Sequence, residues 1–148
     1  MKKLAFLLLI VLGSCSDPQV ALVNGSTTQL SHWDGRWLVI NYWAEWCGPC
    51  RHEIPELNEL HAERVANGVV VLGVNWDGFS GAKLDEQIAN LDIKFPILVE
   101  DPYTMWGYER PMQLPMTALI SPEREVAKIL IGPQTKDSIL AYIQSLSQ

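Results

Sequence analysis

Eight residues, Arg36–Trp43 (RWLVINYW), run through Ala44-Glu45-Trp46 into Cys47-Gly48-Pro49-Cys50, and a helical pattern follows. The octet is short, apolar and rich in β-branched and aromatic side chains, and the turn Asp34-Gly35 precedes it. Those features predict a strand buried on both faces. From Arg51 to Ala66, Ile54, Leu57, Leu60, Ala62 and Val65 recur at largely helical spacing, with Asn67-Gly68 as C-cap. The cysteine pair therefore stands where a strand hands over to a helix, and the remaining elements must be arranged around that junction.

Those elements alternate. VALVNGSTTQL predicts an edge strand and turn, Val69–Trp76 (VVVLGVNW) a second buried strand, and Lys83–Leu91 a helix. FPILVED is extended, and Tyr103–Tyr108 is a short helix. MTALISP and EVAKILIG form a hairpin turning at Ser121–Arg124, and Thr135–Leu146 is a helix with Ile139, Leu140, Ile143 and Leu146 on its apolar face. Strands separated by helices pair in parallel, and the hairpin adds antiparallel strands. The expected fold is α/β, a central mixed sheet with helices on both faces. At 148 residues and 48% apolar, with six tryptophans, the chain is a single packed domain's worth.

The front of the chain differs in kind. Lys2 and Lys3, an apolar run Leu4–Leu12 and small residues make a short export signal. Nine residues span roughly 14 Å as a helix, about half a bilayer core, so the run is not a membrane span. Leu12-Gly13-Ser14-Cys15 resembles a bacterial lipobox, which implies cleavage before Cys15 and lipidation of that cysteine. The division expected is residues 1–14 as signal peptide, 15–19 as lipidated cysteine and tether, and 20–148 as the folded domain. Ser16 after the cysteine favours the outer over the inner membrane. Removal of the signal takes two lysines and leaves nine basic against 17 acidic residues, a net charge of −8 that argues against a nucleic-acid partner.

With Cys15 lipidated, Cys47 and Cys50 are the thiols that remain, and three uses compete for them. As a staple, a loop of about four residues stabilises by only about 2 kcal/mol. As a metal clamp the pair lacks partners: His32, His52 and His61 have no zinc-finger spacing, and Met112 and Met116 suit packing better than copper. No metal or cofactor is expected. As a reagent the pair fits. Cys47 at a helix N-terminus has its thiolate stabilised by unpaired N–H groups, Cys50 lies one turn further in, and Pro49 suits a first turn. Cys47 is then the nucleophile and Cys50 the resolving thiol.

WCGPC at such a junction resembles the thioredoxin superfamily. Cys47, Cys50, Glu53 and Pro55, as Cys-x-x-Cys-x-x-Glu-x-Pro, resemble its exported TlpA/ResA-like branch with an AhpC/TSA-type domain. The likeness runs from about Leu30 to the C-terminus. It implies a thioredoxin-like fold and thiol–disulfide exchange, cytochrome c maturation included. It also implies a cis peptide at Leu114-Pro115 facing the cysteines, and a client groove of Trp46, Gly48, Pro49, Leu114 and Pro115. The chain departs from the cytoplasmic pattern, with Asn41 in place of a buried Asp and Gly73 in place of a Lys. Asp77 and Glu45 are the candidate proton acceptors for Cys50, although Asp77 equally suits an Asp-Gly turn. Met116 before Thr117 makes the groove more apolar. Gly-Pro between the cysteines points to a reductant, since thioredoxin sits near about −270 mV against about −120 mV for an oxidant. The partners implied are disulfide-bearing clients, a DsbD/CcdA-like transmembrane electron donor and, through the lipid, a membrane. The protein is expected to act as a monomer at the periplasmic side of a bacterial membrane. The alternatives are a disulfide oxidase or isomerase, or a binding lipoprotein or metallochaperone.

Overall fold

The computed structural model describes residues 17–147. Residues 1–16, with the signal and Cys15, lie outside the described residues. The chain first makes a small antiparallel hairpin, β1 (Gln19–Ala21) with β2 (Thr27–Gln29), and a 3-10 turn at Leu30–Trp33. β3 (Trp37–Trp43) follows, then the Cys pair and α1 (Gly48–Ala62). After α1 come α2 (Arg64–Asn67), β4 (Val69–Asn75), α3 (Ala82–Asn90) and the single turn α4 (Tyr103–Trp106). β5 (Met116–Ile120), β6 (Val126–Ile131) and α5 (Lys136–Leu146) complete the domain.

The main sheet has the order β4-β3-β5-β6. β3 pairs parallel with β4 and antiparallel with β5, and β5–β6 is the predicted hairpin. As the inner strand between two neighbours, β3 is covered on both faces, which is why its sequence is an apolar run without alternation. Odd positions of β3 (Val39, Trp43) pack against α1, α3 and α5 through Ile54, Leu57, Leu84 and Ile139. Even positions (Leu38, Ile40, Tyr42) pack against Leu30, Trp33, Leu98 and, at the margin, Trp106. Helices thus flank both faces unequally: the three long ones share one face, and short turns with the β1–β2 hairpin cover the other.

Several sequence expectations are modified, α3 and α4 by one or two residues at their ends. The helix expected to run to Ala66 ends at Ala62 and restarts as α2, because the buried stripe Cys50, Ile54, Leu57 and Leu60 ends with His61, and nothing beyond it is buried. Val65, placed on the apolar face by spacing, is 85% exposed. Gly68 is the left-handed cap, as expected. The extended FPILVED makes only bridges, Ile97 to Gly73 and Leu98 to Leu22, since Pro96 has no N–H to extend a ladder. Met116, expected in the groove, is buried in the second-face core.

Contacts to the domain are already made ahead of β1. Pro18 O accepts from Leu30 N at 2.9 Å and Asp17 Oδ2 accepts from Ser31 N at 3.2 Å. Among the described residues no helix is long and apolar enough to cross a membrane.

Candidate active site

β3 delivers the chain to the C-terminal end of the sheet, and α1 begins two residues after Trp46. Cys47 is the N-cap of α1, with extended backbone, and its Sγ accepts from Cys50 N at 3.2 Å. Pro49 lies in the first turn, where a missing N–H removes nothing the helix uses. Cys47 and Cys50 are disulfide-bonded. Cys47 retains 4% exposure and Cys50 none, so the first cysteine is the one nearer the surface. Gly48 and Pro49 are exposed around it.

Trp46 stands 64% exposed beside the disulfide, edge-on to Trp76 with ring centroids 6.0 Å apart. Asp77 accepts from the Trp46 indole N–H, at 3.2 Å to each oxygen. Glu45 is held by Asn90 Nδ2 at 2.9 Å. Both carboxylates therefore lie at the rim, each engaged by a neighbour. Across the site the Leu114-Pro115 peptide is cis. Leu114 packs against the cluster that contains Cys47 and Cys50, while Pro115 is buried and its O accepts from Gly132 N at 2.9 Å. The loop before it is fixed to the aromatic platform: Trp76 Nε1 donates to Pro111 O at 3.0 Å, and Arg110 lies 5.1 Å over the Trp76 ring while bonding Asp101 at 2.9 Å. Met112, beyond that anchor, is 95% exposed. An apolar, partly aromatic surface thus surrounds the Cys47 end of the disulfide.

The carboxyl beneath the disulfide is neither rim acid. Glu53, one turn after Cys50 on α1, is 1% exposed. Its Oε2 accepts from Asn41 Nδ2 at 3.0 Å and its Oε1 from Gln134 N at 3.0 Å, and the Thr117 hydroxyl also bonds it. Burial raises its pKa from 4.5 to about 7, against the lowering by these three donors, of which Gln134 N is the strongest. The sequence held a signal for it. Positions 50, 54, 57 and 61 define the buried stripe, and Glu53 falls on that stripe, where a carboxylate is seldom placed without partners. It had entered only as part of a motif.

The two departures from the cytoplasmic pattern are also accounted for. Asn41, opposite Gly73 on β4 and Thr117 on β5, supplies the amide that holds Glu53. Gly73 has no room for a side chain: a Cβ there would lie 2.4 Å from Ile97 Cδ1, 2.9 Å from Phe95 and 3.0 Å from Trp43 Nε1. Of the histidines, His61 is buried, its Nδ1 accepting from Val71 N at 3.3 Å on the outer edge of β4. His32 and His52 are exposed.

Against known proteins, residues 14–129 match the AhpC/TSA family. The thiol–disulfide oxidoreductase ResA of Oceanobacillus iheyensis is 31% identical over 125 residues, 84% of this chain and 65% of that protein. ResA of Geobacillus kaustophilus is 30% identical over 124 residues, 84% of this chain and 71% of that one. Among solved structures, a putative thiol:disulfide interchange protein DsbE from Chlorobium tepidum aligns with a TM-score of 0.68 at 25% identity, covering 90% of this chain and 94% of that one.

Proposed function

We propose that this chain, which belongs to the AhpC/TSA family, reduces the disulfides of client proteins outside the cytoplasm, held to a membrane by a lipid on Cys15. It is a thiol–disulfide oxidoreductase, as its relatives are. The observation that carries the proposal is the asymmetry of the pair: Cys47 is the helix cap and keeps a little exposure, while Cys50, one turn before the buried Glu53 on α1, is fully buried.

The chemistry follows from that asymmetry. In the reduced protein the N-terminus of α1 favours the Cys47 thiolate. It attacks one sulfur of a client disulfide, and the other client sulfur leaves as a thiolate and takes up a proton. The client is then joined to Cys47 by a mixed disulfide. Cys50 must lose its proton before it can attack. Glu53, with a pKa of about 7, is poised to take it near neutral pH. The Cys50 thiolate displaces the second client sulfur from Cys47, so two electrons pass to the client and the Cys47–Cys50 disulfide remains. In this assignment Glu53, and neither Asp77 nor Glu45, is the proton acceptor. Trp46, Gly48, Pro49, Leu114 and Pro115 line the client groove, and Met112 and Trp76 extend it.

Gly48-Pro49 supports the reducing direction, and a reductant outside the cytoplasm requires a transmembrane donor of the DsbD/CcdA kind to return electrons to it. With Asp17 already docked, Ser16 alone separates it from Cys15, about 7 Å of chain, so the domain stays against its membrane and works as a monomer on clients held there. The outer membrane is the favoured site, and immature cytochrome c is one client class in keeping with the family resemblance.

The test is capture. Cys50→Ser should accumulate clients as mixed disulfides that dithiothreitol releases, and wild type should catalyse insulin reduction where Cys47→Ser does not. Insulin reduced equally by wild type and Cys47→Ser would refute the mechanism, and a measured potential above about −180 mV would reverse its direction.

A further inference from the structure

Asn41, Glu53 and Thr117 form a dry polar cluster, 0%, 1% and 0% exposed, between β3, α1 and β5. Its hydrogen bonds all run one way. The Asn41 amide uses both N–H bonds inward, to Glu53 Oε2 at 3.0 Å and to Thr117 Oγ1 at 3.1 Å. Gln134 N donates to the other carboxyl oxygen. This cradle suits a carboxylate and is poorly matched to a protonated Glu53, whose new O–H must donate. Gln134 N cannot accept, and Thr117 Oγ1, which accepts from Asn41 and turns its own O–H to Glu53, could accept only by giving up that donation. One acceptor in the cluster is unused: Asn41 Oδ1 is buried without a hydrogen-bond partner. A buried, unpaired amide oxygen costs about 1–3 kcal/mol, so its retention calls for an explanation.

A half-turn of the amide about its last side-chain bond supplies one. It exchanges Nδ2 and Oδ1, which differ little in size, and brings the unused oxygen to Glu53 Oε2. The protonated carboxyl then donates to Asn41 Oδ1, the Thr117 hydroxyl donates to the same oxygen, and Nδ2 becomes the unpaired atom. Either orientation leaves one amide atom unpaired; the cradle still favours the carboxylate, which keeps the larger set of donors, and the turn only lessens the cost of protonation.

We propose that Asn41 is a positioning residue whose amide donates to ionised Glu53 and turns over to accept from protonated Glu53, so the carboxyl can take and return the Cys50 proton without α1 moving. The proposal rests on the reading of Glu53 as that proton's acceptor. The groups facing Glu53 are few. From α1 they are Cys50 and Cys47, from β3 and β5 the neutral Asn41 and Thr117, and from the approach to α5 the Gln134 N–H. Charged groups on those elements are engaged elsewhere: Arg51 donates to Glu45 O at 2.7 and 3.0 Å, Glu56 accepts from Lys136 N at 3.0 Å, and Lys136 Nζ lies 3.0 Å from Glu63 and 3.4 Å from Glu59.

The experiment follows the reduced wild-type protein by NMR through pH 5 to 9, reading the Asn41 side-chain N–H resonances and the Glu53 carboxyl carbon. The expected result is one shared midpoint, with both Asn41 protons changing as their partners exchange. In Asn41→Leu, which can neither donate nor accept, the carboxylate loses a donor. The Glu53 midpoint, and the pH profile of client release from the mixed disulfide, should then rise by about one unit, while the first attack by Cys47 keeps its profile. Asn41 resonances that stay constant through the Glu53 midpoint would overturn the proposal, as would an unmoved midpoint in Asn41→Leu. Should that variant not fold, the wild-type titration alone decides. The Glu53 reading fails separately, on Glu53→Gln releasing client at the wild-type rate, and the amide titration still decides for or against Asn41.

Discussion

Replacing Glu53 by Gln should make the oxidised protein less sensitive to alkaline pH while slowing client release. Burial lifts the carboxyl from 4.5 to about 7, so the folded state holds this proton more tightly than the unfolded chain does. The stability contributed is full below about pH 4.5 and disappears as pH rises through 7. Between pH 5 and 8.5 proton linkage gives a loss of about 2.5 kcal/mol for this one group. Gln keeps the shape and cannot ionise, so the loss is absent from the variant. Hydrogen bonds that Gln reproduces imperfectly shift its stability by a constant and leave the pH-dependent difference intact. Urea unfolding of both oxidised proteins at pH 5, 6, 7 and 8.5 measures that difference directly. Relative to wild type, Glu53→Gln should gain about 2.5 kcal/mol from the lowest pH to the highest. A difference constant to within about 0.5 kcal/mol would mean that Glu53 is ionised throughout, with no store for the Cys50 proton.

His61 supplies the opposite slope. Burial, with a smaller push from the Arg64 charge, lowers its pKa from 6.5 to about 4, so its contribution is full above pH 6.5 and is lost as pH falls through 4. His61→Gln, which can still accept from Val71 N, should lack about 2 kcal/mol of the loss between pH 7.5 and 5 in the same unfolding assay, and a loss equal to wild type would refute the assignment. Because the two titrations oppose each other between pH 4.5 and 6.5, wild type alone should look nearly flat there, and only the variants separate them. Gly73→Ala should destabilise by about 1–3 kcal/mol in urea, since its methyl meets Ile97, Phe95 and Trp43 at once; unchanged stability would show that those side chains can give way.

The elements that carry strong periodicity were legible in the sequence. β3 is a run of apolar residues because it is covered on both faces, and α1 follows the stripe Cys50, Ile54, Leu57. Gly68 ends α2 in the left-handed region that the Asn-Gly pair announces, and the β5–β6 hairpin turns at Ser121–Arg124 as its composition suggests. The cysteines could be placed because a strand and a helix meet at them. Tertiary decisions were not legible. Val65 satisfies helical spacing, yet no layer lies over that last turn. Met116 sits next to Pro115, but strand alternation sends it to the opposite face from Thr117. The burial of Glu53 and His61 went unrecognised for one reason: each lies on the buried stripe, with a partner supplied by a distant strand or loop. Asn41, Thr117 and Gln134 converge on Glu53 from positions up to 81 residues away in sequence, which no local pattern reveals.

Exchange at this site requires Cys47 to be the reactive member of the pair because a helix begins at it. Titration of the reduced protein, following thiolate absorbance with Cys50→Ser to isolate one sulfur, measures this directly. The structure predicts a Cys47 midpoint well below the free-thiol value of about 8.5, with rapid reaction towards small disulfides at neutral pH. A midpoint at or above about 8.5 with sluggish exchange would contradict it.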